Sequence, residues 1–379
     1  MGGYQIGGAT SDTYTMRYGE TLTVRTVYYY VEVTNTIDGN IGVTLSAPCG
    51  VTFLNKNELD AKSRAMVNIP AGSVNGTTIT WANDSSLTDG GDYSLPPTWS
   101  TSGFSMGQNL VTWELWETVF KYADAANYRF SSEGNQGAAI FIEGVANTND
   151  RPQSVGNRLH PVSAIRWRDA IVWCNAYSDM DGLEPVYRDK DGEPLRDSRL
   201  GVELLIDTSK IAGKNGYRLP TNAEWMYAAR GAKPSTSSPW TDRLPGTNNQ
   251  SEMKDYIWSY SLEFLANGGI AQTGEVGSKK PNTAGLYDMM GMLDQWVWWL
   301  DAYGNPGTGR LNRWGNLLCV MMGGNFYYNL LGTDGTLHTY YGGLHHSMNF
   351  IAWLPAALYF AVDYPDSYFT GLRLARNKD

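Results

Sequence analysis

The chain has 379 residues, 42% of them apolar, with a formal net charge of −9 and a pI near 5.0. That length permits a sizeable core and two domains, one large and one small, while the acidic balance and the lack of any basic run exclude a protein built to grip a nucleic-acid backbone. No apolar run approaches the roughly 20 residues of a membrane-spanning helix, and Cys49, Cys174 and Cys319 are too far apart for a metal-ligand spacing or a disulfide framework, with a Cys174–Cys319 bridge in an exported protein as the one pairing left open.

The opening Met1-Gly2-Gly3-Tyr4 is short and polar and holds no secretory leader. Residues 1–82 read as β structure. Thr21–Val27 runs into Tyr28–Val33, both dense in β-branched and aromatic residues, and Asp38-Gly39-Asn40 is a turn signal before Ile41–Leu45. Thr77–Trp81 reads as a further strand, and the whole as a small β-sandwich-like unit without a catalytic constellation. Residues 82–103 have the Asn, Asp, Ser, Gly and Pro content of a linker, which places a domain boundary near residue 95 and gives domains 1–95 and 96–379.

Thr112 is a plausible N-cap for a helix from Trp113, in which Trp113, Trp116 and Phe120 recur at helical spacing as a core stripe. Residues 131–160 read as loop, and His160, before Pro161, as structural. A second helix follows, with Trp167, Ile171, Cys174 and Tyr177 or Ser178 on one apolar face. Asp189-Lys190-Asp191-Gly192-Glu193 has a superficial likeness to a calcium loop but lacks its alternating acidic pattern, so a solvated hairpin turn is expected. The sharpest local signal is Thr221-Asn222-Ala223-Glu224, a capping box that starts a helix ended by Gly231. Arg218, Glu224, Asp288 and Arg373 are expected in buried networks, with the pairing among them undetermined. Residues 232–275 are a long polar connection, and Trp296, Trp298 and Trp299 follow turns that feed a core strand.

The last segment differs from the rest. It opens at Met322-Gly323-Gly324-Asn325-Phe326 and closes at Thr370-Gly371-Leu372-Arg373. Residues 325–365 contain ten aromatic residues and only two formal charges, Asp334 and Asp363. They show no clean period of 2 or 3.6, and Gly332, Gly335, Gly342 and Gly343 interrupt them, which reads as irregular backbone. Two arrangements fit this composition: an ordinary core on short strands, or an exposed recognition face, for which Tyr supplies large, stiff, amphipathic contact.

Several motifs follow one another in a recognisable order: Phe104-Ser105-Met106-Gly107, His160-Pro161-Val162, Trp167-Arg168-Asp169-Ala170, Arg218-Leu219-Pro220-Thr221, Ala223-Glu224-Trp225, Tyr227–Gly231, Pro281-Asn282, Gly285–Met289, Gly323-Gly324 and Gly371-Leu372-Arg373. Over about residues 100–379 the chain resembles the formylglycine-generating enzymes, or sulfatase-modifying factors. The resemblance implies an α+β, loop-rich C-type lectin fold of the formylglycine-generating-enzyme type, with the small N-terminal all-β unit outside it. In those enzymes two cysteines shortly after the Gly-Gly pair bind copper and carry the oxidation. Here the equivalent positions hold Tyr328 and Thr333, which cannot supply the soft thiolates that Cu(I) selects. The family's Gly-Asn-Val-Trp-Glu-Trp turn reads Gly291-Met292-Leu293-Asp294-Gln295-Trp296, so its calcium site is not carried over.

One branch of the family, the variable proteins of diversity-generating retroelements such as that of Treponema, fits a fold kept without its thiols. That likeness implies a non-enzymatic, surface-displayed ligand-binding protein whose segment at about 325–370 is rewritten at adenine-containing codons. Asn codons randomised in their first two bases yield Tyr, Asn, Leu, Phe, His, Asp, Ser and similar residues but never Trp or Met, which leaves Met348 and Trp353 to the scaffold. The binding residues it implies are Tyr327, Tyr328, Asn329, Leu331, Tyr340, Tyr341, Leu344, His345, His346, Asn349, Phe350, Asp363 and Tyr364. His345 and His346 are not expected to share a metal, since neighbours on a strand face opposite ways. No cofactor, copper included, is expected. The expected partner is a protein on another cell or surface, and the expected location is the cell surface, as a lipoprotein whose leader lies outside this sequence. The rival readings are a copper-dependent oxidase with displaced ligands and a calcium-dependent carbohydrate-binding lectin.

Overall fold

The computed structural model describes residues 25–29, 32–37, 40–45, 49–53, 59–75, 98–141, 157–211, 213–233, 246–247, 249–258, 270–300, 306–307, 310–311, 317–323, 329–331, 337–341, 344–347, 358–361 and 369–378. Two units divide the chain, Met1–Leu59 and Asp60–Asp379. In the first, Arg25–Tyr29 pairs antiparallel with Cys49–Phe53, and Glu32–Ile37 with Asn40–Leu45. Ile37 lies opposite Asn40, so only Asp38 and Gly39 join that hairpin, the two-residue Asp-Gly link that suits the twist of paired strands. The expected strand Thr77–Trp81 lies outside the described residues.

The boundary expected near residue 95 is therefore corrected to Leu59/Asp60. Residues 60–75 belong to the larger unit for two physical reasons. Met66–Ile69 is an edge strand on Phe104–Gly107, in register from Met66↔Gly107 to Ile69↔Phe104. Gly72–Asn75 pairs with Thr98–Thr101, Asn75 opposite Thr98. The Ser-, Gly- and Pro-rich stretch thus connects two paired strands of one unit. Glu114, 2% exposed, fixes the start of the unit, accepting from Asp60 N at 2.7 Å and Ser63 Oγ at 2.6 Å and pairing with Arg158.

Two sheets organise the larger unit. One runs Tyr217–Arg218, Ala375–Asn377, Phe104–Gly107, Met66–Ile69, all antiparallel. The other runs Arg310–Leu311, Leu317–Met322, Asp294–Val297, Thr370–Leu372, with Leu358–Ala361 also pairing with Leu317–Met322. The chain passes from the second sheet to the first through Arg373 and Leu374 alone.

The expected helices are present. Trp113–Ala125 is capped by Thr112, whose Oγ1 accepts from Leu115 N at 3.3 Å. Trp167–Met180 buries the expected face of Trp167, Ile171, Cys174 and Tyr177, and more besides: its residues from Asp169 to Ser178 are all buried. A helix between packed elements has no solvent stripe to reveal its period. Trp173 stacks on Trp116 at 5.2 Å, Tyr177 packs on Trp173, and Tyr217 stacks on Tyr177 at 4.0 Å. This aromatic column accounts for part of the chain's wealth of Trp and Tyr. Cys174 is a buried free thiol inside that helix, so the Cys174–Cys319 bridge left open by the sequence is not formed, and burial pushes its ionisation up. Among the described residues no helix is long and apolar enough to cross a membrane.

The Asp189 loop is the hairpin turn that its incomplete acidic pattern predicts. Its Oδ1 accepts from Asp191 N and Glu193 N, both at 2.9 Å, and so is used within the turn. Among the described residues no cluster of three metal-ligating side chains occurs.

Candidate functional site

The two ends of the aromatic segment meet on one strand. Asp294–Val297 pairs antiparallel with Leu317–Met322 and parallel with Thr370–Leu372. Gln295 lies opposite Met322 on one side and Gly371 on the other; Trp296 lies opposite Met321 and Leu372. The strands that precede and follow residues 324–369 therefore flank the same residue, Gln295, of one strand. Within the excursion, Leu358–Ala361 comes back onto Leu317–Met322, with Met321 opposite Leu358.

The strand is held from beneath by buried polar groups. Gln295 is fully buried, and its Oε1 accepts from Trp225 Nε1 at 3.0 Å and from Arg373 Nε at 2.9 Å. Its Nε2 donates to Asp288 O at 3.1 Å. Arg373, also fully buried, spends its other donors on carbonyls: Gly107 O at 2.8 Å, Gln108 O at 2.9 Å and Tyr287 O at 2.6 Å. Burial lowers its pKa to about 10, with the Asp288 charge opposing, so it stays protonated at neutral pH. The guanidinium fork thus ties the corner between the two sheets to the loop after Phe104–Gly107 and to the turn at 287. Asp288 sits in the left-handed region, φ +53°. Its carboxylate accepts from Trp258 Nε1 at 3.0 Å and Gly277 N at 2.7 Å, and burial raises its pKa against the pull of these bonds.

Gly323 is the hinge at the entrance. Its φ is +97°, and a Cβ there would lie 2.9 Å from Met289 O, 3.1 Å from Gln295 Nε2 and 3.2 Å from Trp225. Its carbonyl accepts from Gly291 N at 2.9 Å. Only glycine combines that backbone with that approach.

A second network lies apart. Arg218 forks onto Glu224 through two 2.7 Å bonds and reaches Asn377 Oδ1 at 2.7 Å. The Glu224 carboxylate also closes the capping box, accepting from Thr221 N at 2.8 Å, while Thr221 Oγ1 accepts from Glu224 N at 3.0 Å. The four charged residues left unpaired by sequence reasoning thus separate: Arg218 with Glu224, Arg373 with Gln295 and carbonyls, Asp288 with Trp258 and Gly277. His160 is buried on Thr273 Oγ1 at 3.1 Å, in the structural role expected.

Of the predicted binding residues, seven fall on a three-stranded antiparallel sheet. Asn329 and Leu331 lie on Asn329–Leu331, Tyr340 and Tyr341 on Leu337–Tyr341, and Leu344, His345 and His346 on Leu344–Ser347. Thr339 is opposite both Asn329 and His346, and Tyr340 is opposite His345. The irregular backbone expected here is corrected to paired strands over these residues. Tyr341 pairs with Leu344, which leaves only Gly342-Gly343 between the two paired strands. Tyr327, Tyr328, Asn349, Phe350, Asp363 and Tyr364 lie outside the described residues, as do Thr333, Met348 and Trp353. Sequence reasoning missed Gln295 and Trp225 as members of the support; the only signal was their place in motifs otherwise read as a turn and a helix start.

Cys174 is buried in a helix, and Cys319 lies on Leu317–Met322, before Gly323.

A family described as the sulfatase-modifying factor enzyme 1-like domain matches residues 52–378. Chaperone protein LppX of Paenibacillus barcinonensis is 32% identical over 203 residues, covering 49% of this chain and 71% of that protein. The formylglycine-generating enzyme of Streptomyces coelicolor is 34% identical over 129 residues, 30% of this chain, and the match spans only 40% of that enzyme. Among solved structures, Treponema denticola variable protein 1 aligns with a TM-score of 0.45 and 25% identity, over 92% of this chain and 99% of its own.

Proposed function

The chain belongs to the sulfatase-modifying factor enzyme 1-like domain family, and from that premise we propose that it is a non-enzymatic ligand-binding protein whose segment 325–370 is a recognition surface on a fixed body. The observation that carries the reading is the docking of both ends of the segment on Asp294–Val297. The ends are secured by Gln295, Arg373, Trp225 and Gly323, none of which lies within the segment's interior. Side chains between them can therefore change without loss of the contacts that hold the ends.

Composition supports a protein partner. A neutral, Tyr-rich face gains affinity by burying aromatic area and excluding water, as binding hot spots do. Such a face acts outside the cell, so the reading includes a place on the cell surface, held by a lipid anchor, and the partner is a protein on another cell or surface. Rewriting of the segment by a retroelement is part of the same proposal.

Two experiments test it. Fluorescent protein is applied to neighbouring cells before and after protease treatment, beside a variant with Tyr327, Tyr328, Tyr340 and Tyr341 changed to Ser. Binding that is protease-sensitive, and at least tenfold weaker in the variant at unchanged melting temperature, is expected; binding indifferent to the four changes would sink the reading. The second is a Cu(I) titration with a cysteine-containing peptide. Stoichiometric uptake and peptide oxidation would restore the enzyme.

A further inference from the structure

We propose that Gln295 is a positioning residue of the recognition segment, a buried side chain that couples the spacing of its two ends. The inference rests on the reading of residues 325–370 as that segment. Its basis is that one residue reaches both ends by backbone and by side chain. The backbone of Gln295 pairs with Met322 and with Gly371. Its Oε1 uses both lone pairs, one on Trp225 Nε1 and one on Arg373 Nε, the latter two residues beyond Gly371. Its Nε2 donates to Asp288 O and stands 3.1 Å from where a Cβ on Gly323 would be.

The amide is suited to this place because it is neutral and two-sided. A hydrocarbon would leave the indole N–H and one guanidinium N–H unpaired where no water reaches them. A carboxylate would keep both donors, and gain charge attraction to Arg373, but has no N–H for the Asp288 carbonyl. Asp288 O belongs to the turn that leads to Gly291, whose N–H holds Gly323 O at 2.9 Å. The donor half of Gln295 therefore governs the entrance, and the acceptor half governs the exit through Arg373.

Hydrogen exchange on the full chain, with no ligand present, tests this. In Gln295→Leu, amides of Leu317–Met322 and Thr370–Leu372 should exchange at least tenfold faster, while those of Trp167–Met180 stay as they are. Gln295→Glu should accelerate exchange at residues 289–293 and at Leu317–Met322, with Thr370–Leu372 nearly unchanged. If Gln295→Leu does not fold, Gln295→Glu decides alone. Unchanged rates at the segment ends, or acceleration spread evenly over the body, would overturn the proposal, because Gln295 would then be one core residue among others. Localised acceleration in a chain that binds no cell would end the proposed function and leave the positioning role standing.

Discussion

At the scale of single residues, the most constrained position is Gly323. Gly323→Ala places a Cβ against the Met289 carbonyl at a φ of +97°, and such strain costs on the order of 1–3 kcal/mol. Urea unfolding should show that loss. His160 makes a different prediction. Its imidazole takes a proton near pH 6.5 when unfolded; burial lowers this to about 4 in the folded state, against the pull of Glu275. Between those values the unfolded chain binds more protons, so the contribution is present above pH 6.5 and is lost as pH falls towards 4. The span is worth at most about 3 kcal/mol. His160→Gln should flatten the part of the stability–pH curve between pH 4 and 6.5 that the imidazole causes. At this scale the sequence was uneven to read. Glycine pairs and a His-Pro step are visible in a string of letters, but the partners of a buried amide are not. Gln295 meets Trp225 and Arg373 across separations of 70 and 78 residues, and nothing local encodes such a meeting.

Elements are where local chemistry speaks most clearly. Thr221 and Glu224 form the capping box that their spacing demands, and Thr112 caps the helix that its neighbours predict. The box does more than start a helix, because its carboxylate is also the counter-ion of Arg218, both side chains being nearly buried. Glu224→Ala removes the cap and strands the guanidinium, so the loss should reach about 3–5 kcal/mol, the usual cost of opening a buried pair from one side. Thr221→Ala, which removes the hydroxyl alone, should cost about 1 kcal/mol. Chemical denaturation of the two variants checks the difference. The helix Trp167–Met180 was legible in place and in its apolar face, but not in the burial of its polar residues Asp169, Asn175 and Ser178, whose partners on Ser198, Tyr187 O and Cys174 O the sequence does not show. The strands Asn329–Leu331, Leu337–Tyr341 and Leu344–Ser347 were illegible for the opposite reason: their residues lack the alternation that marks a half-buried strand, and only the Gly342-Gly343 link betrays them.

For the whole molecule, the family likeness made the fold readable from ordered motifs, whereas the boundary between units was misread from composition. Polar, glycine-rich sequence marks solvated chain, and such chain joins strands within one unit as readily as it joins units. A truncated chain of residues 60–379 should therefore keep a cooperative melt within a few degrees of the parent. One of residues 96–379 should not, having lost Met66–Ile69 from its sheet and the Asp60 and Ser63 bonds of Glu114. The placement of the segment ends carries a wider consequence. Met322 and Gly371 flank the same residue, so they stand two strand spacings apart, about 10 Å. The entropy of closing a loop across such a gap rises only about 0.6 kcal/mol for each doubling of its length. The body is thus a socket: an insert much longer than the native one fits the same two terminals at little extra thermodynamic cost, so long as Leu358–Ala361 keeps its place on Leu317–Met322.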